Sequence, residues 1–137
     1  MLFRSPGEKF KESEIENLNN SSIVTQFCYF QNCALLTGDI ELDAQKEMLG
    51  DIQKIGLSPE SKILKIAHHG SQNGTDSALL NEIKPDFAII SSGKDNTYGH
   101  PHQLVLDLLQ GLNIQTLRTD QSGDITFLLS PDNIVLK

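Results

Sequence analysis

At 137 residues the chain is long enough for one domain with its own core, and 38% hydrophobic with 21% charged side chains is an ordinary soluble composition. A net charge of −7 disfavours sequence-independent nucleic-acid binding, which rests on many Lys and Arg contacts to phosphate, but leaves room for a small anion held at a metal. No apolar run could span a membrane and the start lacks a signal-peptide pattern, so the chain by itself is expected to be soluble.

Residues 1–20, rich in charge and asparagine (Asn17, Asn19, Asn20), are expected to be loop or a loosely attached arm, with 21–137 as the folded part of a single domain. Lys9–Leu18 is compatible with a short charged helix that lacks an apolar face. Ser21–Phe30 has the β-branched and aromatic content of a strand, and Gln31-Asn32 turns it into a second one, Cys33–Thr37. Placed on that hairpin, Cys28 and Cys33 are not obvious disulfide partners, and they do not reveal the compartment.

Gly38-Asp39 follows, then a helix-compatible stretch, Glu41–Leu49, which Asp39 or Thr37 could cap. After a turn at Gly56–Pro59, the apolar residues 63, 64, 66 and 67 form a short buried strand ending at His68-His69-Gly70-Ser71. Thr75–Ile83 reads as a helix with Ala78, Leu79, Leu80 and Ile83 inward, stopped by Pro85, and Phe87–Ser91 as the next buried strand. A polar loop, Ser92–Pro101, leads into a helix over His102–Leu109 that buries Leu104, Val105, Leu108 and Leu109 and closes at Gly111. Asn113–Thr116, Ile125–Leu129 and Ile134–Leu136 complete the strands. Helices and strands alternate between two terminal hairpins, which predicts an α/β fold: a mixed sheet with helices packed on it.

The groups able to do chemistry lie at strand ends, where α/β folds place their sites. Asp39 is either a helix cap or a metal-binding carboxylate. His68 and His69 are adjacent, so on an extended backbone their rings diverge and only one joins a given metal, leaving the other to donate a proton or bind substrate. His100, between Gly99 and Pro101, fits either a surface loop or a site, and His102 fits a helix start.

Taken together, LLTGDIE (Leu35–Glu41), LKIAHHGS (Leu64–Ser71), NTYGHP (Asn96–Pro101) and TDQSGDI (Thr119–Ile125) resemble the metallo-β-lactamase-like hydrolase domain of ComEC-type DNA-internalisation competence proteins, in the same order and spacing from about Asn20 onward. The resemblance implies an αβ/βα sandwich around two divalent metals, zinc or manganese, acting on phosphodiesters. It makes Asp39 and His69 metal ligands, puts His68 beside the metals in touch with substrate, and gives Ser71, Asn96, Tyr98 and His100 to the polar rim that holds phosphate or the leaving group, with His68 and His100 as the catalytic groups. It also implies a place on the extracytoplasmic face of the membrane for the competence proteins.

The family's first-half HxHxDH motif is missing, because all four histidines follow Asp39. The chain therefore matches the C-terminal half of the domain, and two ligands predict weak metal binding. Two readings follow. In one, the chain is part of a hydrolase whose N-terminal half, and with it any nucleic-acid or phosphodiester substrate, is needed for activity. In the other, it is a degenerate half-domain that pairs with itself or a partner through the face the missing half would cover.

Overall fold

A computed structural model describes residues 2–4, 17–54, 58 and 62–137. The expected charged helix over Lys9–Leu18 and the turn at Gly56–Pro59 fall largely outside them. Among the described residues, six strands form one sheet in sequential order: β1 (Leu2–Arg4), β2 (Ile23–Tyr29), β3 (Asn32–Leu36), β4 (Ile63–Lys65), β5 (Phe87–Ile90) and β6 (Gln115–Arg118). The β1–β2 and β2–β3 pairs are antiparallel, and β3 to β6 run parallel. The fold is thus α/β with a mixed sheet, as the alternation of elements predicts. The expected loose arm instead begins as an edge strand, with Leu2 opposite Thr25.

Each parallel step crosses through a helix: α1 (Leu42–Lys54) between β3 and β4, α2 (Ser77–Ile83) between β4 and β5, and α3 (Gln103–Gly111) between β5 and β6. Such crossovers are right-handed, and with strands added always on the same side they put every helix on one face. The core follows that rule. Leu35, Leu64, Ala88 and Ile90 of the sheet pack with Ala44, Met48 and Ile52 of α1, Leu79, Leu80 and Ile83 of α2, and Val105 and Leu109 of α3. Two expected core positions are corrected: Ala78 and Leu104 face solvent, and Leu106 packs against the core instead. α2 starts where Asp76 accepts a hydrogen bond from Leu79 N at 2.8 Å.

The opposite face of the sheet is only partly covered. A hairpin of β7 (Phe127–Leu129) and β8 (Ile134–Leu136) follows the single turn of α4 (Thr119–Ser122). Phe127 meets Phe87 edge-on at 5.1 Å, and buried Asn32 donates to Ser130 O at 2.8 Å. Beyond it, Ile23, Phe27, Tyr29 and Leu36 remain exposed. No helix among the described residues is long and apolar enough to cross a membrane.

The β2–β3 turn falls at Phe30-Gln31, one residue earlier than the sequence suggests, with Phe30 in a left-handed conformation. That single step places Cys28 directly opposite Cys33, and the two form a disulfide. The expectation that they are poor partners is therefore corrected. A turn at 31–32 would have set Cys28 against Leu35.

Candidate functional site

Because β3, β4, β5 and β6 are parallel, the loops that leave them open at one edge of the sheet. The loop after β3 carries Asp39 and Glu41, that after β4 carries His68, His69 and Ser71, and that after β5 carries Asn96, Tyr98, His100 and His102. Backbone bonds stitch them together: His68 N donates to Gly38 O at 3.2 Å, His102 N to Gly70 O at 3.0 Å, and Leu42 N to Asn73 O at 3.0 Å. Two glycines permit the approach. A Cβ on Gly38 (φ +60°) would sit 2.7 Å from Ser22 Cβ, and one on Gly70 (φ +84°) 2.6 Å from Pro101 Cβ.

Asp39 is not the helix cap, since α1 begins at Leu42 and Thr37 donates its hydroxyl to Lys65 O at 2.7 Å. The Asp39 carboxylate instead lies 3.6 Å from Lys65 Nζ and 3.6 Å from His69 Nε2. Lys65 Nζ also donates to Gly38 O at 2.9 Å. Burial lowers the Lys65 pKa, and the Asp39 charge opposes that shift.

His68 and His69 do not continue the strand. Both adopt left-handed backbone conformations (φ 47° and 54°) in a short 3-10 turn, Ala67–Gly70. Such conformations carry strain for non-glycine residues and concentrate at functional sites. The rings diverge as expected, but by this turn rather than by strand alternation. His69 Nδ1 lies 2.6 Å from Ser91 O, which can only accept, so Nδ1 carries the proton and Nε2 presents a lone pair toward Asp39. Ser91 is itself steadied from β6 and α4: Ser92 N donates to Thr119 Oγ1 at 2.9 Å, Ser92 Oγ to Asp120 at 3.2 Å, and Arg118 forks onto Asp120. The TDQSGDI stretch thus supports the histidine's anchor.

His68 turns away from Asp39, its ring centroid 5.5 Å from that of His100. His100 in turn lies 4.8 Å from His102 and stacks with Tyr98 at 6.0 Å. Burial first, then His102, His68 and His69, push the His100 pKa down. His102 belongs to this row, and its Nδ1 accepts from Gln72 N at 3.0 Å, so its proton sits on Nε2. Asn96 spends its side chain on the loop, donating to Gly93 O and His100 O and accepting from His100 N. Ser71 is buried and its Oγ lies 3.4 Å from Asn73 N, while Tyr98 is 79% exposed. Asp39 and His69 are thus brought together, His68, His100, His102 and Tyr98 form a second row, and Ser71 and Asn96 face the protein itself. Glu41, 3.4 Å from His68 Nδ1, is the neighbour that sequence reasoning missed, although it sits inside the LLTGDIE stretch.

No protein-family model matches the chain. It is 41% identical over 109 residues to ComE operon protein 3 of Bacillus subtilis, which is 80% of this chain and 14% of that protein. It is 33% identical over 122 residues to competence protein ComA of Neisseria gonorrhoeae, 88% of this chain and 17% of the relative. Against Recombination protein 2 of Haemophilus influenzae it is 32% identical over 107 residues, 78% of this chain and 13% of the relative. These matches support a ComEC-type competence family. This chain spans about one-seventh of its ComEC-type relatives.

The donors available for the two-metal centre that the sequence resemblance implies can be counted. Asp39 and His69 have the right chemistry and converge, but among the described residues no group of three or more His, Cys, Asp or Glu could hold a metal ion. An open zinc site takes three protein ligands. The described residues therefore do not fit a self-sufficient metal centre.

Proposed function

We propose that this chain is the C-terminal part of a metal-dependent hydrolase domain of the metallo-β-lactamase type, belonging to a ComEC-like competence protein and acting on phosphodiesters in DNA uptake. In this reading Asp39 and His69 are ligands for one of two divalent metals, zinc or manganese. His68 and His100 work on the reacting groups and Tyr98 stands at the substrate rim, while Ser71 and Asn96 shape the loops of that rim from within. The observation that carries the reading is the pairing of Asp39 with His69. With its proton held on Nδ1 by Ser91 O, His69 turns Nε2 toward a carboxylate oxygen 3.6 Å away, an imidazole nitrogen and a carboxylate converging as two ligands of one cation would, with Lys65 Nζ 3.6 Å from the same oxygen. The one-sided sheet agrees with half of a sandwich. With too few ligands, the chain alone is inactive, and an upstream half supplies the rest.

The test mixes the chain with the region preceding the matched stretch of the Bacillus relative, adds manganese or zinc, and follows cleavage of bis-p-nitrophenyl phosphate. Cleavage is expected only in the mixture, falling about 100-fold or more in Asp39→Ala and in His69→Ala. A mixture that cleaves nothing, or cleaves equally well without either side chain, sinks the proposal. The exposed Ile23, Phe27, Tyr29 and Leu36 favour a second reading, a non-catalytic half-domain that self-associates or binds a partner through this face.

A further inference from the structure

We propose that Glu41 is a positioning residue that holds His68 with its proton on Nδ1 and leaves Nε2 as its free basic nitrogen. His68 Nδ1 is sealed from solvent and forms no hydrogen bond, and the anion facing it is Glu41 Oε1, 3.4 Å away. That glutamate is held from three sides. Asn17 Nδ2 donates to Oε2 at 2.8 Å, Asn19 Nδ2 donates to Oε1 at 3.1 Å, and Glu41 N donates to Asn20 Oδ1 at 2.8 Å. Asn17 is fixed in its turn by accepting from Asn19 N at 3.0 Å.

Three asparagines of one short turn, Leu18–Ser21 and its cap, thus converge on a single residue of the loop after β3. Amide donors on both carboxylate oxygens keep Glu41 extended toward the histidine. A carboxylate can only accept, so a lone pair on Nδ1 would face it unfavourably whereas an N–H points along the field. The ring's choice of tautomer is therefore set by Glu41, the arrangement by which carboxylates orient working imidazoles.

This inference rests on the reading of His68 as a working group of the site, but its test needs no turnover. The two other histidines with fixed tautomers serve as internal standards: His69 protonated on Nδ1 and His102 on Nε2. The experiment records long-range proton–nitrogen NMR spectra of the full chain with labelled histidine, at alkaline pH where the rings are neutral. In the natural chain the His68 signals should match the His69 pattern. In Glu41→Ala they should move to the His102 pattern, with His69 and His102 themselves unmoved. A second variant carrying Asn17→Ala and Asn19→Ala keeps the glutamate but frees it, and should give a partial shift in the same direction. His68 protonated on Nε2 in the natural chain, or a Nδ1 signal that neither folded variant moves, overturns the inference. If Glu41→Ala does not fold, the asparagine variant decides alone. A failed phosphodiester assay with the expected tautomer would count against the hydrolase reading and leave the Glu41–His68 link standing.

Discussion

Asp120 shows how a residue away from the His69 turn can still help to hold its surroundings in place. Arg118 Nε and Nη2 donate to its two carboxylate oxygens at 3.0 and 2.6 Å, and Ser92 Oγ donates at 3.2 Å. The hydrogen bond from Arg118 leads in holding this carboxyl below the usual range. A folded-state value below the unfolded one adds stability that is fully present above the ordinary carboxylate range, about 4, and is lost as pH falls through the lowered value. Asp120→Asn should therefore flatten the acid limb of stability, measured as urea midpoints at descending pH. An acid limb as steep as that of the natural chain would contradict this. At the same scale, Asp39 and the paired histidines were legible from their place after apolar strands. The left-handed turn at His68 and His69 was not, because histidine's enrichment at positive φ is too slight to announce two such residues in succession. Glu41 was missed because Asn17, Asn19 and Asn20 look like an unattached polar arm until the fold brings them 21 to 24 residues along the chain.

Among elements, the β2–β3 hairpin taught the most. Alternating apolar residues located both strands, but the turn between them offered two settings one residue apart, and neither Phe30 nor Gln31 is a strong turn residue. The setting adopted brings Cys28 and Cys33 into a cross-strand pair with Cα atoms 4.0 Å apart. Closing so short a loop, with a sequence separation of 5, restricts the unfolded chain by about 2 kcal/mol in the chain-entropy picture. Reduction, or Cys28→Ser with Cys33→Ser, should lower unfolding stability by about that amount. Equal urea midpoints with and without reductant would show that the bond contributes nothing. Helix positions were read well from periodicity, with ends shifted by a few residues and with Leu104 and Leu106, about 200° apart around the helix, exchanged between solvent and core.

Across the whole molecule, the decisive property is that the helices share one face of the sheet. Alternation of strand and helix revealed the fold class, but strand order was not written in it, and the order alone decides whether one face or both are covered. The exposed row of Ile23, Phe27, Tyr29 and Leu36 predicts concentration-dependent association of the isolated chain. Sedimentation velocity over rising concentration should show it, and Phe27→Lys with Leu36→Lys should abolish it. A monomer at every concentration would mean that this face needs no partner.

The same sequential strand order bears on how the chain emerges from a ribosome. From β2 to β6 each strand docks beside the one made just before it. Nothing has to be held open for a later segment to thread between neighbours, since each pairing closes only the chain between consecutive strands. The loops bearing Asp39, His69 and His100 would then be set in place one after another as synthesis proceeds, each on a sheet edge already finished.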